Sequence, residues 1–149
     1  MAIGEICCRD VVIAQAEETV LDAAKLMREH HVGNVVVVEE REGKRVPVGI
    51  VTDRDVVVEI VAPELDPATL TIGDIMQPGL AAIDEGTGVF EIIEFMRSKG
   101  VRRMPVVAAD GALVGIVTLD DLVALLAEEF YELSAVLRKE QRQEAVSRR

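Results

Sequence analysis

The stretch Gly49-Ile50-Val51-Thr52-Asp53-Arg54-Asp55 recurs as Gly115-Ile116-Val117-Thr118-Leu119-Asp120-Asp121. Each copy closes a longer matched block. Upstream, at an offset of 69, Ile3-Gly4-Glu5-Ile6 falls on Ile72-Gly73-Asp74-Ile75, Met27-Arg28 on Met96-Arg97, and Val37-Val38 on Val106-Val107. The turn EEREGKRVP of the first copy is three residues longer than its counterpart, so the offset drops to 66 at the heptapeptide. Two copies in one register describe a duplicated unit, and a duplicated unit predicts approximate twofold symmetry.

Both copies carry the same pattern. An apolar stretch comes first, Val11 to Ile13 or Leu80 to Ile83. Val20, Ala23, Ala24, Met27 and His31 then recur at spacings of three and four, as do Val89, Ile92, Ile93 and Met96, which predicts an amphipathic helix in each copy. Thr19 and Thr87 stand where caps are expected. Two valine-rich runs follow, Val35 to Val38 and Val48 to Val51, matched by Met104 to Val107 and Leu113 to Val117. Gly43 or Asp110-Gly111 splits each pair, which reads as a hairpin. A second helix opens at Asp53 and at Asp120, where negative charge suits a helix N-terminus. The unit is strand, helix, strand, strand, helix. The expected boundaries are 1–62 for repeat one, 63–71 for the linker, 72–128 for repeat two and 129–149 for a helical extension.

The heptapeptide has its own chemistry. A glycine at the head of a strand permits close approach of a ligand or of a neighbouring backbone. A carboxylate can accept two hydrogen bonds from a vicinal diol, as a ribose offers, while a hydroxyl and free helix N–H groups can hold a phosphate. The same threonine and aspartate can also serve solely as a helix cap.

The unit and its motif resemble the CBS domain, and the tandem resembles a stand-alone CBS pair, or Bateman module, over roughly residues 3 to 128. The resemblance implies an α+β (α/β) fold of two repeats packed with pseudo-twofold symmetry. It implies that Asp55 and Asp121 hold the ribose of an adenosyl ligand, with Thr52 and Thr118 near its phosphates. Arg102 and Arg103 match a segment whose basic residues face phosphates in this family, and Arg54 lies inside the first motif. Copy one has Gly33-Asn34 at the positions of the arginine pair, so the two sites are expected to be unequal. Ile13, Val36, Ala82 and Pro105 are the candidate adenine wall. The possible ligands are AMP, ADP, ATP or S-adenosylmethionine; no cofactor or metal is expected to be required. CBS pairs commonly dimerise, so a homodimer is expected.

Composition bounds the other readings. The 149 residues carry a net charge of −11, and only 3% are aromatic, which disfavours polyanion binding and base stacking. No apolar run approaches the ~20 residues of a membrane span, and the opening MAIGEICCRD has no cationic-then-apolar leader, so the expected compartment is the cytoplasm. Cys7 and Cys8 read as small apolar residues rather than a redox or metal site. His30 and His31 are adjacent and point in different directions, which suits helix-end cations better than metal ligation. There is no P-loop, no GxSxG and no metal-spaced His/Cys set, so no enzyme is expected. The expected function is a regulatory small-molecule-binding module, with an interaction scaffold bearing vestigial pockets as the alternative. From Asp120 the chain runs to its end without Gly or Pro, and Leu122, Leu125, Leu126, Phe130, Leu133, Val136 and Leu137 form an apolar stripe. Residues 133–149 hold five bases and two acids, so a basic tail follows an acidic body.

Overall fold

A computed structural model describes residues 1–77 and 79–148. Its contacts divide the chain into two units, Met1–Val117 and Thr118–Arg149. The first unit begins with a 3-10 turn at Ile3–Glu5, followed by β1 (Ile13–Ala14), α1 (Val20–His30), β2 (Asn34–Arg41) and β3 (Lys44–Thr52). A short α2 (Asp53–Val56) continues as a π-helical turn through Val61. The second half brings α3 (Ile72–Ile75), β4 (Ile83–Asp84), α4 (Val89–Lys99), β5 (Arg103–Val107) and β6 (Leu113–Thr118). The second unit is one helix, α5 (Leu119–Ser147).

Two three-stranded sheets repeat one topology, β1-β2-β3 and β4-β5-β6. In the first, β1 runs parallel to β2, with Ile13 opposite Val36, and β3 runs antiparallel to β2. In the second, β4 runs parallel to β5, with Ile83 opposite Val106. The mixed α+β fold is therefore the one the sequence predicts, and the C-terminal helix is long. Pro47 lies on the edge strand β3 opposite Val38, beside a register shift. An edge and a bulge are the places where a residue without an N–H is tolerated.

The first strands are shorter than the apolar runs suggest. Only Ile13–Ala14 and Ile83–Asp84 pair. The cap of α4 is also displaced: Gly88, not Thr87, is its N-cap, and no side chain caps that end. The Thr87 carbonyl instead accepts a hydrogen bond from the Ile3 N–H at 2.9 Å.

That bond belongs to a reciprocal exchange. Ile3 and Gly4, at the front of repeat one, donate to Thr87 and Glu85 of repeat two. Ile72 and Gly73, at the front of repeat two, donate to Glu18 and Ala16 of repeat one at 2.8 and 2.9 Å. These are equivalent positions at the 69-residue offset. Ile72 and Ile75 are buried in the core of repeat one with Val20, Ala23, Met27, Val35, Val37, Val51 and Ile60. Repeat one thus completes its core with the leading segment of repeat two, and the leading segment of repeat one is hydrogen-bonded to repeat two in return.

The exchange explains the motif glycines. A Cβ on Gly115 would stand 2.7 Å from both the Cys7 Sγ and the Cys8 carbonyl oxygen. Cys8 and Ile116 exchange both backbone hydrogen bonds at 2.9 Å, so this backbone cannot retreat. A Cβ on Gly49 would stand 2.6 Å from the Met76 sulfur, which lies on a flexible side chain. Gly115→Ala is therefore expected to lower stability by about 1–3 kcal/mol as an overpacked site. Gly49→Ala is expected to cost less than about 1 kcal/mol, because methionine adapts. Urea midpoints of the two variants check this, and equal losses would contradict it.

A second contact joins the hairpin turns of the two repeats. Lys44 Nζ lies 3.0 Å from Asp110 Oδ2. The Ala112 N–H, and then Lys44, hold the Asp110 carboxyl below the ordinary carboxylate range. Both side chains remain partly exposed to solvent, so the pair adds little to stability. Cys7 is buried and Cys8 exposed, and both are free thiols. Burial pushes the Cys7 thiol up, with Arg9 acting in the opposite sense.

Candidate functional site

Thr52 closes β3 in an extended conformation and caps α2. Its hydroxyl accepts from the Asp55 N–H at 3.1 Å, and Asp55 Oδ2 accepts from the Thr52 N–H at 2.8 Å. Thr118 and Asp121 make the same reciprocal box at the start of α5: 3.2 Å from the Asp121 N–H to the hydroxyl, and 2.9 Å from the Thr118 N–H to Oδ2. Thr19 with Asp22 and Thr71 with Asp74 form two further boxes outside the heptapeptides. The Thr-x-x-Asp spacing therefore does capping work wherever it occurs here, motif or not. In each heptapeptide the cap engages Oδ2 of the aspartate. All four motif side chains belong to half-buried residues, so the carboxylates are not sealed from solvent.

The turn of the first motif receives a cation from the other repeat. Arg103 Nη1 donates to the Gly33 carbonyl at 3.1 Å, across 70 residues of sequence. The same carbonyl accepts from the Asp53 N–H at 3.0 Å. Gly33 lies close under this turn: a Cβ there would be 3.2 Å from Asp53 Oδ2. Asp53 Oδ1 in turn accepts from the Arg54 N–H at 2.8 Å. Gly33, the Thr52–Asp55 turn and the half-buried Arg103 thus form one constellation, and Asn34 stands in β2 opposite Thr52. The guanidinium spends one of its five N–H donors on Gly33 in this contact and keeps planar geometry suited to an oxyanion.

The remaining candidates differ in exposure. Arg54 and Arg102 are exposed. Val36 is fully buried, with Val38 and Ile116, under Val11, Ile13, Ile50 and Leu113. Pro105 is buried, Ile13 half-buried and Ala82 exposed. Val36 and Pro105 therefore present no open face in this conformation. Sequence reading missed Gly33 as a partner of Arg103. No local signal marks it, since the contact joins separate repeats. Among the described residues no group of three His, Cys, Asp or Glu side chains could hold a metal ion. No helix among them is long and apolar enough to cross a membrane.

Comparison with known proteins agrees with this architecture. The family model for the CBS domain matches twice, at residues 3–62 and 72–128. The chain belongs to the CBS-domain family, a class of regulatory modules, and carries two repeats; the match indicates no catalytic family. An uncharacterised protein of Methanopyrus kandleri is 38% identical over 136 residues, spanning 87% of this chain and 68% of that one. A CBS domain protein from Pyrobaculum aerophilum, solved complexed with AMP, superposes with a TM-score of 0.75 at 27% identity, covering 86% of this chain and 97% of that one. A CBS domain pair solved in complex with 5′-methylthioadenosine and S-adenosyl-L-methionine gives 0.74 at 26% identity, covering 87% and 98%.

Proposed function

We propose that this CBS pair is a regulatory sensor of an adenosine nucleotide, with AMP the first candidate and ADP, ATP and S-adenosylmethionine behind it. The observation that carries the reading is Arg103 of one repeat placed at the motif turn of the other, 3.1 Å from Gly33. In this reading Asp55 accepts from the ribose hydroxyls through Oδ1, which its cap does not use. Thr52, Arg54, Arg102 and Arg103 face the phosphate, and Ile13, Val36, Ala82 and Pro105 wall the adenine once the repeats part. Asp121 and Thr118 form the second site. It is the weaker one, because Asn34 replaces Arg103 at the symmetric position and carries no charge. The chain acts by binding rather than by catalysis, as a homodimer, and a ligand shifts its conformational or oligomeric equilibrium by the difference in affinity between the two states.

A second reading has its own support. The four Thr-x-x-Asp boxes give the motif side chains a complete structural job without any ligand, which suits an interaction scaffold with vestigial pockets. A thermal-shift panel of AMP, ADP, ATP, S-adenosylmethionine, NAD and cyclic dinucleotides separates the two. Ligand at 100 times its dissociation constant adds about 2.7 kcal/mol. At about 2–4 °C per kcal/mol, this raises the midpoint by roughly 5–10 °C. A flat panel at millimolar concentrations selects the scaffold.

A further inference from the structure

Asp53 is an acid at the turn that the nucleotide reading gives to a phosphate. Three backbone N–H groups open α2, and each already has a protein acceptor. The Asp53 N–H donates to the Gly33 carbonyl at 3.0 Å, the Arg54 N–H to Asp53 Oδ1 at 2.8 Å, and the Asp55 N–H to the Thr52 hydroxyl at 3.1 Å. The middle one is satisfied by a carboxylate, so this turn carries an anion of its own.

Arg103 brings the balancing charge from the other repeat. Its Nη1 donates to the same Gly33 carbonyl at 3.1 Å, while Asp53 Oδ2 lies 3.2 Å from the position a Cβ would take on Gly33. One glycine thus touches the acid of its own repeat and the base of the other. Asp53 is exposed and Arg103 half-buried. Water and ions screen the acid without abolishing its field at the guanidinium.

The duplication supplies an internal comparison. Leu119 matches Asp53 at the offset of 66, and Asn34 matches Arg103 at the offset of 69. Asp120 stands where the first turn has Arg54. The couple of Asp53 with Arg103 is therefore present in one set of equivalent positions and replaced at both members in the other. Thr52 with Asp55 and Thr118 with Asp121 form the same capping box regardless, so the cap does not require Asp53.

We infer that Asp53 is a specificity-determining residue of the first site, which ranks adenosine nucleotides by charge and favours AMP over ADP and ADP over ATP. This inference rests on the nucleotide reading and sets its order of preference. Arg103 attracts a phosphate, and Asp53 beside it repels every further negative charge. A monophosphate satisfies the guanidinium with the least repulsion.

Titration calorimetry of the full chain with adenosine, AMP and ATP, without divalent cations, tests it. The three share a base and a ribose and rise in negative charge. The wild type is expected to bind AMP more tightly than ATP. Asp53→Asn keeps an oxygen to accept the Arg54 N–H and removes the charge. At low ionic strength it is expected to leave adenosine binding unchanged and to tighten AMP about threefold and ATP about tenfold. Both gains should shrink as salt rises. Asp53→Leu, which copies Leu119, should show the same order and takes its place should the first variant fail to fold. A wild type that binds ATP as tightly as AMP would overturn the ranking. An equal gain for all three ligands would mean a change of shape and overturn the charge role, as would unchanged or weaker binding of AMP and ATP. Binding of none of the three by wild type and variant alike would overturn the nucleotide reading itself, and this ranking with it.

Discussion

Ile72→Ala is expected to lower the unfolding free energy by about 2–5 kcal/mol, and Ile3→Ala by a similar amount. Both isoleucines are fully buried, although each sits in a short segment at the edge of its own repeat. Ile72 lies in the core of repeat one, among Val20, Val35 and Val51. Ile3 lies where the N-terminal turn docks on repeat two through Thr87 and Glu85. Truncation removes the transfer free energy of three carbons and leaves a cavity that surrounding strands and helices can only partly close. At about 2–4 °C per kcal/mol, each variant should melt roughly 4–20 °C below the wild type. Because each segment belongs to one repeat and packs on the other, both variants should still melt in a single transition. A loss below about 1 kcal/mol for Ile3→Ala would show that the N-terminal segment does not hold the place described. Two separated transitions would show that the repeats are not stabilised reciprocally.

Combined loss of Asp55 and Arg103 is expected to weaken AMP binding by about 100-fold or more. A hydrogen bond to a charged group contributes about 1.5–3 kcal/mol, so each substitution to alanine should cost about tenfold or more. The two act on different parts of the ligand, ribose and phosphate, so their effects should nearly add. On the proposed reading Asp121→Ala should cost less, because the residue that matches Arg103 at the 69-residue offset is the neutral Asn34. Asp55→Ala also removes half of a capping box and should lower stability by about 1 kcal/mol. Titration calorimetry well below the variant's melting point separates that loss from affinity. Wild-type affinity in the double variant would sink the ribose and phosphate assignments together. A large loss in Asp121→Ala alone would move the principal site to the second motif.

Much of this protein is legible in one dimension. The hairpins, the amphipathic helices and the caps at Thr19, Thr52 and Thr118 follow from local periodicity and from side chains that bond to backbone three residues away. Those interactions span a few residues and depend on nothing distant. Misreadings fall where a neighbour decides. Val11 and Leu80 look like strand residues, but parallel pairing with β2 and β5 begins only at Ile13 and Ile83. Thr87 looks like a cap, but its carbonyl serves the chain's other end, and Gly88 caps α4. Gly115 reads equally as room for a ligand or for a backbone. Cys7 and Cys8 supply the backbone answer.

The sequence by itself determined the duplication, the order of elements, the two motif turns and the charge segregation along the last helix. Each is written in spacing and identity, and each is enforced by short-range physics. Only the tertiary structure decided that the leading segments change places between repeats, and that Arg103 stands at the turn of Asp55. Both are contacts between residues more than fifty positions apart. Equivalent repeats offer nearly identical surfaces, so local propensity is silent about which copy a segment packs against. Burial of Ile3 and Ile72, together with the backbone bonds flanking them, makes that choice.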